Sequence, residues 1–430
     1  SGASALLPRG ILDQFPPIYC VWIVNFERLG CIRCDWWQGV SVERGREAVM
    51  RAFVLKNSFL IGIICVLLVG VGLRLYQLGS VPTGLGWDEA AIGYNGWSVW
   101  TTRRDEWLNR LPFSFRSFGD YKAPLAIYLN GPFTLLFGMN AFAVRFPFFL
   151  FACATLVVWW RLLELIRRQL QLSRWFVAFG VTILVFSPWH FVFSRIAFES
   201  VISLFFVVFG VWMTLTALES QKRQTVLFLL AGLSFVGSLY AYHSAKIVVP
   251  MLMLTIAILW RTELLAVWKK IAPTVVVSVL ALIPLLYDAI LGQGATRAGD
   301  LVFMQLDSAS AVAQTIVGSI SAHLNPSFLL LGQGDELRHV VGSFGVIAPG
   351  TLVFMAVGLW HFYSLRGTKS ADQSIRSKYF WLSASWVMIG FLPGFLSVVF
   401  PHANRTLLAL PGLLLLASFG FEYLVSQHKK

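Results

Sequence analysis

Two adjacent carboxylates, Asp88 and Glu89, are the residues of this sequence best placed for acid–base chemistry. They follow an apolar run long enough to cross a bilayer, so they are expected at or near a membrane surface. Ionisable groups close to hydrocarbon are costly to desolvate, and for that reason they often mark functional sites. An acidic first turn, favoured by the helix dipole, explains the same pair without any function. Taken alone, the two residues leave both interpretations open.

Further polar side chains stand near the ends of later apolar runs. Lysine and arginine there can bind a phosphate group, but they also extend to lipid headgroups without any function. Arg195 and Glu199 have the i, i+4 spacing of a helical ion pair, so Glu199 is either the partner of Arg195 or a second acid opposite Asp88. The candidate set comprises Tyr94, Asp120, Lys122, Glu199, Tyr242, His243, Lys246, Asp335, Arg338, His339, His402 and Arg405.

The composition is that of a membrane protein. The 430 residues are 57% hydrophobic and only 13% charged, whereas about a quarter of the residues of a soluble domain are charged. The formal net charge of +13 comes from lysines and arginines gathered in short loops, as the positive-inside rule predicts. A nucleic-acid partner is therefore not needed to explain this charge.

The apolar runs predict an all-α, polytopic fold with about ten or eleven transmembrane helices and both termini in the cytoplasm. The short run 124–137 is expected to lie as an interfacial helix in the first outer loop. Residues 1–49 form an extension of unknown role, 50–290 a catalytic transmembrane module, and 291–430 a long outer loop with a C-terminal transmembrane module. The ten predicted crossings are 57–78, 146–166, 175–189, 201–218, 225–240, 247–260, 271–290, 345–362, 379–400 and 406–424.

This topology places the candidate charges and histidines at the outer ends of the spans. The orientation follows only from the basic residues in the other loops, so it does not depend on these candidates. No charge stands in the middle of a long span, and no repeat relates the two halves of the chain. Both features count against a transporter. A ring of charges at one interface suits chemistry on a substrate with an apolar tail in the bilayer and an anionic head at its surface.

Several motifs resemble those of the GT-C membrane glycosyltransferases. The branch is that of the protein O-mannosyltransferases and aminoarabinose transferases, which use polyprenyl-phosphate sugars. The resemblance covers the chain from about residue 50 to its end. Its motifs are PTGLGWDE at 82–89, YKAPL at 121–125, LFGMNAFAVRFP at 136–147, SRIAFE at 194–199, YHSAK at 242–246 and RTLLALP at 405–411.

The resemblance implies roles for four of these residues. Asp88 corresponds to the catalytic base, with Glu89 in the same motif, and Glu199 corresponds to a second acid. Lys122 corresponds to the lysine that contacts the lipid phosphate. The residue before it is Tyr121, where some relatives have an acid or a histidine. A divalent metal ion thus has less support, and Asp120 and His243 are its candidate ligands.

The expected function is sugar transfer from a polyprenyl-phosphate donor to an acceptor hydroxyl, with inversion, on the extracytoplasmic side of the cytoplasmic membrane. The acceptor is a protein, a lipid or a glycan. A lipid flippase or transporter and a non-catalytic membrane scaffold are the alternatives. Arg338, Arg405 and Lys246 are expected to assist Lys122 at the phosphate, and Tyr94, Tyr242, His243, Asp335, His339 and His402 to line the substrate site.

Overall fold

The structure is a computed structural model that describes residues 57–334, 339, 344–364 and 371–428. The predicted extension 1–49 and the candidates Asp335 and Arg338 lie outside these residues. The chain divides into two compact units, Ser1–Ile61 and Gly62–Lys430. The described part of the first unit is the beginning of helix α1. The predicted division between 50–290 and 291–430 stays a prediction.

The first half of the described chain is helical apart from one small hairpin. Its local boundaries follow ordinary rules: Pro124 occupies the first turn of α3, where its missing N–H costs nothing, and the Asn140 side chain caps α4 by accepting from the Ala143 N–H at 2.9 Å. The elements are α1 Asn57–Leu75, α2 Trp87–Thr102, β1 Phe115–Ser117, β2 Asp120–Lys122, α3 Pro124–Phe137, α4 Ala141–Gln169, α5 Arg174–Val185, α6 Pro188–Phe193, α7 Glu199–Glu219 and α8 Gln224–Ala241.

The second half continues as helices, and three of them lie within the predicted long outer loop. Its elements are α9 Ala245–Leu259, α10 Arg261–Ala266, α11 Trp268–Leu291, a 3₁₀ turn Thr296–Asp300, α12 Val302–Gln305, α13 Ala309–Leu324, α14 Pro326–Leu331, α15 Pro349–Ser364, α16 Ala371–Phe395, α17 Ala403–Thr406, a 3₁₀ turn Leu407–Ala409 and α18 Leu410–Gln427. The outer loop is therefore a folded part of the molecule.

The predicted fold class is confirmed. Among the described residues, six helical segments can cross a membrane by length and composition: α1, α4, α7, α8, α11 and the continuous stretch Ala403–Gln427. Every predicted crossing overlaps a helix, and α3 forms at the segment predicted to be interfacial. The expected crossing 175–189 is divided, because α5 ends at Val185 and Pro188 starts α6. A residue before proline disfavours the helical conformation, which explains the break at Ser187.

Close packing of α2 against α3 fixes the elements that carry the first candidate residues. A methyl group at Gly96 would come within 2.9 Å of the Ile127 carbonyl, and one at Gly131 would overlap the Trp100 ring. The two helices therefore approach each other through glycine. Ile92, Ala126, Val144, Phe148 and Val201 belong to the buried core between these helices, α4 and α7. Asp88 in α2 and Lys122 just before α3 are thus held on a rigid base.

Candidate active site

Asp88, Lys122 and Glu199 meet at one end of the helical bundle. The Lys122 ammonium forms an ion pair with Asp88 and lies 3.9 Å from a Glu199 carboxylate oxygen. Lys122 is only 3% exposed. The three residues come from three elements that are far apart in sequence, the start of α2, the end of β2 and the start of α7. Two carboxylates therefore share one buried cation.

The β-hairpin sets the position of Lys122. Phe115 pairs with Lys122 and Ser117 with Asp120 in its antiparallel register. The turn between the strands contains Phe118 and Gly119 with φ angles of 49° and +81°, and the second of these suits a glycine. Phe115 is fully buried, so the hairpin is anchored to the core directly opposite Lys122.

Glu89 faces a different set of partners from Asp88. Its carboxylate accepts from Arg145 Nε at 2.8 Å and Nη2 at 3.0 Å, and from the backbone N–H groups of Gly86 and Ala197 at 3.0 Å each. Glu89 is 5% exposed and Arg145 is fully buried. One carboxylate thus joins the start of α2, helix α4 and the segment that leads to Glu199.

Two buried arginines, Arg145 and Arg195, hold the chain between α1 and α2, and a third, Arg74, joins the end of α1 to the region of α5 and α6. Arg145 also donates to the carbonyls of Leu78, Pro82 and Gly84. Arg195 donates to four carbonyls, those of Leu73, Arg74, Gln77 and Val81, so its guanidinium serves this segment. Arg74 donates to the Gly70 and Val185 carbonyls and contacts His190 Nδ1 at 2.9 Å. The sequence signal for this arrangement is the presence of arginines in or beside apolar runs.

A cavity of about 240 Å³ adjoins the Lys122 cluster. Lys246, Arg297 and Arg405 line it together with Tyr242 and His243, and no carboxylate is among the described residues that line it. Sequence reasoning missed Arg297, which belongs to the 3₁₀ turn after α11. Three cations around one small space, with no acid among the wall residues that the structure describes, favour an anionic occupant.

His243 links this cavity to the Lys122 cluster. Its Nε2 lies 3.0 Å from the carbonyl oxygen of Tyr121, so it carries the proton and donates, and its Nδ1 lies 3.3 Å from the Lys246 ammonium, from which it accepts. Burial and the charge of Lys246 lower the pKa of His243 from 6.5 to about 3, and Lys122 and Arg405 add to this effect. The imidazole is therefore neutral at neutral pH.

The predicted metal ligands Asp120 and His243 do not fit a divalent cation. Asp120 accepts from Arg297 Nε at 2.7 Å and forms an ion pair with the same guanidinium, and both ring nitrogens of His243 are engaged. Within the ranges that the structure describes, no three His, Cys, Asp or Glu side chains are grouped to hold a metal ion. The pair instead belongs to the network around the cationic cavity.

The other candidates divide into those near Arg405 and those elsewhere. The His402 ring accepts from the Arg405 N–H at 3.4 Å, and the His339 ring lies 4.9 Å from it between centroids. The buried His323, which accepts from the His402 N–H at 3.0 Å, joins this group. Tyr94 is 45% exposed on α2 and does not line the cavity.

No family model matches the chain, and no curated protein matches it. Solved structures do share its fold. ArnT from Cupriavidus metallidurans superposes with a TM-score of 0.54 at 12% identity in the apo state, covering 87% of this chain and 62% of that one. With undecaprenyl phosphate bound, the same protein gives 0.54 at 11% identity, covering 85% and 60%. The Archaeoglobus fulgidus oligosaccharyltransferase tethered to an acceptor peptide gives 0.55 at 14%, covering 87% and 50%.

These matches show the fold of the chain, that of the GT-C membrane glycosyltransferases. The chain spans from half to just under two thirds of the length of these structures. It is a multi-pass integral membrane protein, with six helical segments suited to crossing a bilayer in the part of the chain that the structure describes.

Proposed function

We propose that the protein is a membrane glycosyltransferase that moves a sugar from a polyprenyl-phosphate donor to an acceptor hydroxyl. The proposal rests on one observation: Lys122 lies between the carboxylates of Asp88 and Glu199, beside a cavity walled by cations. The undecaprenyl phosphate bound to ArnT, a protein of the same fold, supports this choice of donor. We place the protein in the branch of the O-mannosyltransferases and aminoarabinose transferases.

Asp88 is the general base in this proposal. It accepts the proton of the acceptor hydroxyl while the hydroxyl oxygen attacks the anomeric carbon. The bond from that carbon to the phosphate oxygen breaks on the opposite face, so the configuration inverts and the polyprenyl phosphate leaves with the electron pair. A base must be ionised before the reaction, and the adjacent Lys122 ammonium favours that form of the carboxylate.

The cationic cavity receives the phosphate. Lys246, Arg297 and Arg405 stabilise the negative charge that grows on the leaving group, an effect that is strongest where water is excluded. Lys122 lies between the proposed base and the phosphate cavity. It is next to Asp88 on one side, and on the other it directly follows Tyr121, whose carbonyl His243 contacts. Its expected contact with the phosphate is therefore compatible with its place beside the acids.

The remaining candidates surround these groups. Glu199 orients the acceptor, and Glu89, whose oxygens already receive four protein donors, positions Asp88 rather than touching substrate. We assign His339, His402, Tyr242 and His243 to the walls of the donor site. Tyr94 and Asp335 stay proposed substrate contacts, and Arg338 stays a proposed contact of the donor phosphate. The site faces the extracytoplasmic side, and the acceptor is a protein, a lipid or a glycan.

Sugar transfer by purified protein tests this proposal. Protein in lipid nanodiscs receives polyprenyl-phosphate sugars with a radiolabelled sugar, and labelled acceptor is separated from labelled donor. The wild type should form product, and Asp88→Asn should reduce the rate by at least 100-fold while the protein stays folded. Asp307→Asn, which changes an exposed aspartate outside the cluster, is the matched control.

Two results would contradict the proposal. Full activity of the Asp88→Asn protein would remove Asp88 from the reaction. Movement of the labelled lipid across the bilayer without any new glycosidic bond would instead support the flippase or transporter alternative.

A further inference from the structure

A second cavity lies at the end of the bundle opposite Asp88. Helix α4 begins beside the Glu89–Arg145 pair, and its 29 residues extend for about 44 Å at ~1.5 Å per residue. Just beyond its far end, Leu170 and Leu172 border a cavity of about 240 Å³ between the ends of α15, α16 and α18. The cavity is therefore separate from the candidate active site.

Charges of both signs line this second cavity. Arg376 of α16 and Glu422 of α18 are both half-buried in its wall. The Glu422 carboxylate accepts from the Ser173 N–H at 2.8 Å and from the Ser173 hydroxyl at 2.5 Å. Each of its oxygens keeps a second lone pair, and within the described part of the chain Glu422 forms no ion pair.

Aromatic rings and one buried histidine nitrogen complete the wall. The His361 ring stacks on Tyr423 with centroids 4.0 Å apart and an angle of 24° between the planes. Its Nδ1 is buried and has no hydrogen-bond partner among the residues that the structure describes. A buried polar atom without a partner is unfavourable, and the His361 ring lines the cavity, where a ligand can hydrogen-bond to it.

We propose that this cavity binds the phosphoethanolamine group of a phospholipid. The phosphate contacts Arg376 and receives a hydrogen bond from His361, and the ammonium contacts Glu422 and the aromatic wall. A cavity with one cation and one acid among the described residues of its wall suits a zwitterion better than a purely anionic headgroup. The volume equals that of about eight water molecules at ~30 Å³ each, which is enough for this group.

Binding of short-chain lipids to the purified full chain tests this assignment. Native mass spectrometry in detergent compares dioctanoyl phosphatidylethanolamine with dioctanoyl phosphatidylglycerol, which has the phosphate but no amine. The wild type should bind the ethanolamine lipid at least five-fold more tightly. Arg376→Gln should weaken both lipids, whereas Glu422→Gln should weaken only the ethanolamine lipid. Arg168→Gln, which changes an exposed arginine at the same end of α4, should weaken neither.

His361→Phe tests the cavity without disturbing the hydrogen bonds between Glu422 and Ser173. It keeps a ring against Tyr423 and removes the nitrogen, so binding should fall by a few-fold while the melting temperature holds. Equal binding of the two lipids, or unchanged binding by Arg376→Gln and Glu422→Gln, would overturn the proposal. Free phosphoethanolamine is tested in the same way. Binding as tight as that of the lipid would assign the cavity to a soluble ligand and overturn the proposal of a phospholipid.

Discussion

At the scale of single residues, the sharing of Lys122 between two acids is the decisive feature. The side chains of Lys122 and Glu199 are 4% and 8% exposed, and that of Asp88 is 16% exposed. Carboxylates this poorly hydrated are unfavourable without a partner, so the lysine stabilises the site. Under the proposed function, chemistry and local stability thus depend on the same ammonium group.

Replacing Lys122 by Met should lower kcat/KM for the donor by about 100-fold, because the leaving phosphate and both acids lose their shared cation. Steady-state kinetics with varied donor concentration measure the change. Lys222→Met, which removes an exposed lysine from the α7–α8 loop, is the control. An unchanged donor dependence in the Lys122 variant would argue against a role in donor binding.

The low pKa of His243 predicts a loss of stability in acid. The unfolded chain binds a proton at this residue below about pH 6.5, but the folded chain does so only near pH 3. Acidification from pH 7 to pH 4 therefore favours unfolding. His243→Gln should reduce this loss, as measured by thermal unfolding at several pH values. His428→Gln at an exposed position should follow the wild type, and parallel curves for His243→Gln would contradict the prediction.

At the scale of elements, the molecule positions its site with a segment that has little regular structure of its own. Residues 76–86, between α1 and α2, are held mainly through their carbonyl oxygens, which Arg145 and Arg195 collect from two sides. Guanidinium groups suit this task because each presents five donors in a fixed plane. The acidic start of α2 is thereby fixed in place.

Arg145→Met should destabilise the protein by about 3–5 kcal/mol, because it leaves the buried Glu89 carboxylate without its cation. Unfolding by heat or denaturant in detergent measures this loss. Arg145→Lys should recover only part of it, since a single ammonium cannot reach two carboxylate oxygens and three carbonyls together. Arg161→Met, at an exposed position of the same helix, is the control. Equal stability of Arg145→Met and Arg161→Met would contradict the ion-pair argument.

Sequence patterns predicted the long helices but not the small elements between them. Apolar length alone located α4, α7, α8 and α11. The hairpin of three-residue strands has no periodicity long enough to recognise, although it carries Lys122. Arg297 was missed for a similar reason, since a 3₁₀ turn is placed by tertiary contacts with Asp120 and not by its own sequence.

At the scale of the whole molecule, the distribution of charge across the bilayer predicted which residues meet. Basic loops were assigned to one side, and the candidates Asp88, Lys122, Glu199 and His243 then lie together at the other end of the helices. The contacts inside the cluster were beyond the sequence. Which acid is tied to Arg145 and which to Lys122 depends on the rotation of α2 about its own axis.

Labelling of introduced cysteines tests the orientation. Asp307→Cys should react with a membrane-impermeant maleimide added outside intact cells, because Asp307 belongs to the same end as Asp88. Lys222→Cys should react only after the cells are opened. Both positions are exposed in the structure, and the unsubstituted protein measures the background from native cysteines. Labelling of Lys222→Cys from outside would invert the proposed orientation.

The hydrogen bond from the Ala197 N–H to Glu89 has a mechanical consequence. This bond and the short segment 197–199 connect Glu89 at the start of α2 with Glu199 at the start of α7. The two helix starts therefore form one rigid unit. On the opposite side of the site, the hairpin and the 3₁₀ turn after α11 are joined by the contact between Asp120 and Arg297. The Asp120–Arg297 pair is more exposed than the Glu89–Arg145 pair, so under the proposed function we expect the hairpin and the 3₁₀ turn to move when the donor enters.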